Sequence, residues 1–198
     1  MPPVKSLEEA LKEAFEKADS LEAPLMARLK LYLGESRRLM PELESAYDQL
    51  VQRIAATEAE KRVPAAGEMM PDFTMTDSEG NLVELAGLIA KGPLVISFNR
   101  GPWCDYCGLE LRALSRAYPE MVAAGGDVIS IVPEMAHYAR NLQKVREVPF
   151  RVLIDLDLAY ALSLGLVFWL GDKLKDALWL IRYRQGDDSG TCSAKGGL

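Results

Sequence analysis

Leu94 to Cys107 reads LVISFNRGPWCDYC, and the order of residue types in it decides the fold. Leu94 to Phe98 is a run of β-formers, Asn99 to Trp103 is a Gly/Pro break, and Gly108 to Ala124 carries Leu109, Leu111, Leu114, Met121 and Val122 at helical spacing. Cys104 and Cys107 therefore fall where a strand has turned and a helix begins. The first N–H groups of a helix have no partner inside it, and the macrodipole adds partial positive charge there. A thiol that titrates near 8.5 when free can drop to between about 3.5 and 7.5 at such a place or in a Cys-x-x-Cys motif. Cys107 lies one helical turn on, on the same side as Cys104, so the pair can alternate between dithiol and disulfide with little backbone movement.

Two plainer readings compete. Zinc ribbons use Cys-x-x-Cys but need a second pair, and the other candidates, Cys192 and His137, are distant and unpaired. No metal or cofactor is expected, and neither residue is assigned a role. Inert buried cysteines are the second alternative, disfavoured by the Gly-Pro break directly before the pair.

Outward from this stretch, the alternation continues. Asp72 to Thr76 and Asn81 to Glu84 flank the turn residues DSEG and read as a hairpin. Leu85 to Lys91 is a short helix or turn. Asp127 to Val132 (DVISIV) has the β-branched composition of a buried parallel strand, Met135 to Glu147 reads as a helix, and Phe150 to Ile154 as a further strand. Asp155 and Asp157 sit at a helix start before Leu158 to Leu164. Such βαβ alternation implies parallel pairing in a three-layer sandwich, whose active site lies beyond the carboxyl ends of the strands.

Residues 1–62 form a helical extension. Ser6 and Glu9 make a capping box, and Leu7, Leu11, Ala14, Phe15 and Ala18 share a face. After Pro24, Leu25, Leu29 and Leu33, then Leu39, Leu43, Ala46, Leu50 and Ile54, form further stripes, with a break expected around Gly34 and Pro41. These stripes want a partner, either the chain's own domain or a second copy in a homodimer. Arg62 to Pro71 (RVPAAGEMMP) marks the boundary to a domain at 63–186, and residues 187–198 are a Gly/Ser tail. Tyr160, Trp169, Trp179 and Tyr183 are expected to pack the C-terminal helices.

Composition narrows the partners. With 198 residues, 23 basic and 29 acidic side chains and a net charge of −6, the chain is not expected to bind nucleic acid or anionic membrane. Three cysteines do not make a secreted disulfide framework, the N-terminus has no continuous apolar signal region, and the longest uncharged run, Leu158 to Gly171, is too short to cross a bilayer. A cytoplasmic location is expected.

With these pieces placed, Met70 to Gly186 resembles the alkyl hydroperoxide reductase/thiol-specific antioxidant family, the peroxiredoxin-like branch of the thioredoxin superfamily. The resemblance rests on Pro71 to Leu85 (PDFTMTDSEGNLVEL), Leu94 to Leu114, Asp127 to Glu134 (DVISIVPE) and Val148 to Phe168 (VPFRVLIDLDLAYALSLGLVF), in the family's order. It implies an α/β, thioredoxin-like three-layer α/β/α sandwich and an enzyme reducing hydroperoxides through a Cys104 thiolate resolved by Cys107. Arg100 and Trp103 would stabilise or shield the sulfur, Asp105 would oppose ionisation, and a thiol such as thioredoxin or glutathione would reset the pair. The family's proline and threonine or serine, seven and three residues before the cysteine, are replaced by Ser97 and Gly101. A thioredoxin-like thiol-disulfide oxidoreductase is therefore the alternative. From Ser189 onward the sequence also departs from the strands that usually complete the sheet and bring a proline beside the cysteine. A sandwich lacking those strands is expected, and with it a third reading, a catalytically weak dimeric scaffold.

Overall fold

The computed structural model describes residues 6–58 and 63–184. The tail at 187–198, including Cys192, and the side chains of Trp179 and Tyr183 lie outside what is described. The chain divides into two compact units, one holding the N-terminal helices and residues from 168 onward, the other residues 63–167.

The first unit begins with α1 (Leu7–Asp19), α2 (Leu25–Leu39) and α3 (Pro41–Ala56). Ser6 Oγ accepts from Glu9 N at 3.1 Å while Glu9 Oε2 accepts from Ser6 N at 2.8 Å, the capping box read from sequence. The expected face of α1 is buried at Leu11, Ala14, Phe15 and Ala18. Helix α2 departs from expectation twice. It runs through Gly34 and stops at Met40, because Pro41 cannot continue it and opens α3 instead. Its buried face is Arg28, Tyr32 and Ser36, whereas Leu25, Leu29 and Leu33 are only half-buried. The polar members of that face are tolerated inside because each meets a partner: Arg28 Nη1 reaches Asp19 Oδ1 at 3.5 Å, and Ser36 Oγ donates to Glu44.

The second unit is built on one sheet. Strands β1 (Thr74–Asp77) and β2 (Leu82–Glu84) form the expected hairpin, with Asp77 Oδ1 accepting from the amides of Glu79 and Asn81 at 2.9 Å each to close the turn. Then follow α4 (Leu85–Ile89), β3 (Leu94–Phe98), α5 (Asp105–Ala123), β4 (Asp127–Val132), α6 (Ala136–Arg146), β5 (Arg151–Ile154) and α7 (Ala159–Ser163). The sheet order is β2-β1-β5-β4-β3; β3, β4 and β5 are parallel and β1 runs antiparallel to β5. Because side chains alternate across a strand, Ile129 and Ile131 face one apolar cluster with Leu88 of α4 and Tyr160 of α7, and Val128 and Val132 face another with Leu111 of α5 and Leu142 of α6. The result is the expected three-layer α/β/α sandwich. Among the described residues β3 has a strand on one side only, so the dithiol stretch follows an edge strand.

Residues 168–184, read from sequence as continuous with the redox domain, pack with the first unit: α8 (Asp172–Arg184) buries Leu174 against Leu43 and Leu50, with Leu170, Ala177 and Leu178 around it. Its stripe at i, i+4, i+7 and i+8 supplies the partner that α3 lacked. Tyr160 does not pack C-terminal helices; its ring meets Phe73 edge-on at 5.0 Å and stacks on Phe98 at 6.3 Å in the core beside the sheet. Trp169 is exposed, at 48%. Among the described residues no helix is long and apolar enough to cross a membrane.

Candidate active site

The parallel register brings the carboxyl ends of β3 and β4 side by side, Phe98 opposite Ile131, and the Asn99 amide extends the ladder to the Ile131 carbonyl at 2.9 Å. Beyond that last rung the chain turns through Arg100 to Trp103. Gly101 has φ +122°, a conformation that side chains rarely adopt. A Cβ there would also stand 2.3 Å from a carboxylate oxygen of Glu134 and 2.9 Å from the Trp103 indole nitrogen. Glycine lets the loop lie against the buried residue that follows β4.

Cys104 is the N-cap of α5, with extended backbone (φ −95°, ψ 103°). Its sulfur takes the place of a capping oxygen, accepting from the Cys107 amide at 3.2 Å and from Arg100 Nη2 at 3.2 Å. Both thiols are reduced and buried, at 3% and 8% exposure. The Cys104 pKa is lowered from 9.0 to about 6, first by a hydrogen bond from the Cys107 thiol, against the opposing effect of burial, and further by the Arg100 charge and the Cys107 amide. Cys107 moves the other way: its bond to Cys104, burial and the Cys104 charge all push its thiol up. The two sulfurs thus divide their roles, one an anion near neutrality and the other a proton-bearing donor.

Arg100 lies 5.5 Å from the centre of the Trp103 ring, so the half-buried indole holds the guanidinium that reaches the sulfur. All four residues singled out from sequence, Arg100, Trp103, Cys104 and Cys107, are brought together. His137 is not among them; it is exposed on α6, its ring against Tyr138 at 3.8 Å.

Three features of the site were not read from sequence. Arg146 at the end of α6 donates from Nη2 to Asp105 Oδ1 at 3.0 Å and to the Pro102 carbonyl at 3.4 Å, so the negative charge expected to oppose ionisation carries its own counter-charge. Glu134 is buried at 2% exposure behind the loop. Beneath α5 runs a buried polar chain: Ser97 Oγ donates to Glu110 Oε1 at 2.8 Å, and Asn99 Nδ2 donates to Ser97 Oγ at 2.8 Å and Ser130 Oγ at 2.9 Å. The hydrophobic pattern of β3 and β4 hides Ser97 and Ser130, since a serine inside an apolar strand has no signal of its own partner.

The fold, with a dithiol at the head of the helix that follows a parallel strand, defines a protein of the thioredoxin superfamily. Residues 66–184, more than half the chain, match the model of the AhpC/TSA family, and the chain belongs to that family. Among similar proteins, the thiol-disulfide oxidoreductase ResA of Bacillus cereus (strain ZK / E33L) is 31% identical over 98 residues, 49% of this chain and 56% of that protein. The ResA protein of Bacillus subtilis (strain 168) is 28% identical over 100 residues, 50% and 55% of the two chains. The chain thus spans about half the length of the curated relatives it matches. Among solved structures, the peroxidoxin BcpB of Mycobacterium tuberculosis aligns at a TM-score of 0.48 and 21% identity, over 50% of this chain and 64% of that one. A secreted Mycobacterium tuberculosis disulfide oxidoreductase homologous to E. coli DsbE aligns at 0.41 and 24%, over 46% and 66%.

Proposed function

We propose that this chain is a thiol-disulfide oxidoreductase in which Cys104 is the nucleophile and Cys107 resolves it. The observation that carries this reading is the Cys104 sulfur at the N-cap of α5, bonded by Arg100 and by the Cys107 amide at 3.2 Å each, with the second thiol in the same helical turn. The Cys104 thiolate attacks one sulfur of a substrate disulfide; a Cys104–substrate S–S bond forms as the substrate's own S–S bond breaks, and the departing thiolate takes up a proton. Cys107 then gives up its proton and attacks the Cys104 sulfur, releasing the second substrate thiol, which receives that proton. The substrate gains two electrons and the protein is left with a Cys104–Cys107 disulfide, which a thiol reductant such as thioredoxin or glutathione returns to the dithiol.

Reduction of hydroperoxides is the second reading, favoured by the family match over residues 66–184. There the thiolate attacks the O–O bond, an alcohol leaves, and Cys107 displaces water from the Cys104 sulfenic acid. Two residues weigh against it as the main activity. Gly101 offers no hydroxyl where the family has threonine or serine, and Ser97 gives its hydroxyl to Glu110 at 2.8 Å. Reduction of insulin disulfides by the protein with a thiol reductant, abolished in Cys104→Ser, is the expected result. Micromolar peroxide oxidising Cys104 in stopped flow orders of magnitude faster than it oxidises a free thiol, with no insulin reduction, would instead establish the peroxidase. Failure in both assays contradicts either enzyme.

A further inference from the structure

We infer that Arg146 is a positioning residue for the dithiol: from α6 it neutralises Asp105, the residue next to the nucleophile, and ties down the Pro102 carbonyl, so that the loop presents Cys104 to the helix end without a repelling charge beside it. This rests on the reading of Cys104 as a thiolate, and it adds a residue from a separate element.

Three observations carry it. The ion pair to Asp105 Oδ1 is 3.0 Å long with Arg146 at 13% side-chain exposure and Asp105 at 29%, so solvent screens it only in part. The same Nη2 reaches the Pro102 carbonyl at 3.4 Å, joining α6 to the turn on the other side of Cys104. The third is Gly108, in the first turn of α5. A Cβ there would stand 2.7 Å from Arg146 Cζ, 2.9 Å from Nε and 3.0 Å from Nη1, so the guanidinium lies flat across backbone that only glycine leaves bare.

Among the described residues, charged and titratable groups come to the Cys104 loop from four directions, with Tyr106 of α5 between the two cysteines in sequence. The loop supplies Arg100, α5 supplies Asp105 and Cys107, α6 supplies Arg146, and the segment after β4 supplies Glu134 against Gly101. Without Arg146, Asp105 is an acidic charge adjacent in sequence to the thiolate, and like charges disfavour ionisation. A role that was purely structural would show as lost folding stability, whatever residue stood at position 105. An electrostatic role is undone when Asp105 loses its charge.

The experiment titrates the Cys104 thiolate by its ultraviolet absorbance in the reduced full chain, in wild type, Arg146→Gln, Arg146→Lys, Gly108→Ala and Asp105→Asn/Arg146→Gln. Arg146→Gln should raise the midpoint by about half a unit or more, a roughly threefold fall in the thiolate-to-thiol ratio at fixed pH. Arg146→Lys should keep most of the wild-type value, and the double variant should return to it. Gly108→Ala, which favours the helix while displacing only the end of a flexible side chain, should reproduce the Arg146→Gln shift in a protein that folds. An unchanged midpoint in Arg146→Gln and Gly108→Ala, with wild type near 6, overturns the inference and leaves the proposed function standing. A raised midpoint that the double variant does not restore also overturns it. Wild type titrating near 9 overturns both.

Discussion

The chemistry of the site is a competition at one sulfur. Burial at 3% exposure disfavours an anion on Cys104, and the Cys107 thiol, the Arg100 guanidinium and the Cys107 amide together outweigh it, leaving the group near 6. Arg100→Met removes a charge and a hydrogen bond at once, and the Cys104 midpoint should rise in an absorbance titration. Trp103→Ala, which frees the guanidinium from its ring, should move it less in the same direction. The sign of the stability effect follows. In the unfolded chain the thiol titrates near 9, so the depressed folded value contributes stability that is fully present above about 9 and is lost as pH falls through about 6. Urea unfolding of the reduced protein at pH 5.5 and 8.5 should show the protein more stable at the higher pH, and Cys104→Ser should lose that increment. That Cys104 and Cys107 share the head of a helix with Arg100 and Trp103 beside them was legible in RGPWCDYC, because the sequence alone sets which groups share a helix end. Arg146 was not, since its approach to Asp105 depends on how α5 and α6 pack, and no local pattern encodes that.

At the scale of elements, the strands were legible because β-branched runs bounded by Gly, Pro and Asp have one reading. Helix α2 shows where periodicity fails: a leucine stripe at 25, 29 and 33 looked like the buried face, but paired polar side chains took the interior on the next face round. Asn99 joins β3 to β4 through bonds of 2.8 and 2.9 Å to Ser97 and Ser130, and the three side chains are at most 5% exposed. Asn99→Ala takes the amide donor from both hydroxyls, Ser97 keeping its bond to Glu110 while Ser130 loses its partner, and should cost about 1–3 kcal/mol in a urea denaturation; a loss under about 0.5 kcal/mol would mean that the network does not brace the sheet. Helix α6 ends on Glu147, whose φ of +54° and ψ of +45° are left-handed. Glu147→Gly should be neutral to stabilising, by up to about 1 kcal/mol in thermal unfolding, because that conformation strains any residue with a Cβ.

For the molecule as a whole, the sandwich was legible in the sequence and the packing of residues 168–184 was not. The family match covers residues 66–184, while the stripe through Leu170, Leu174, Ala177 and Leu178 packs with α3. Leu174 is 2% exposed between Leu43 and Leu50, so Leu174→Ala should cost about 2–5 kcal/mol, seen as an earlier helical transition in circular dichroism. An unshifted transition would return α8 to the other unit. In the second unit the order β2-β1-β5-β4-β3 leaves the strand that leads to the dithiol at one edge of the described sheet, so the site is held from β4 and α6.

The most direct test of the account alkylates the reduced protein with iodoacetamide across pH 4 to 10 and maps the modified cysteines by mass spectrometry. Cys104 should react with a midpoint near 6 while Cys107 stays unmodified through neutrality. Both cysteines reacting together with a midpoint near 9 would contradict it.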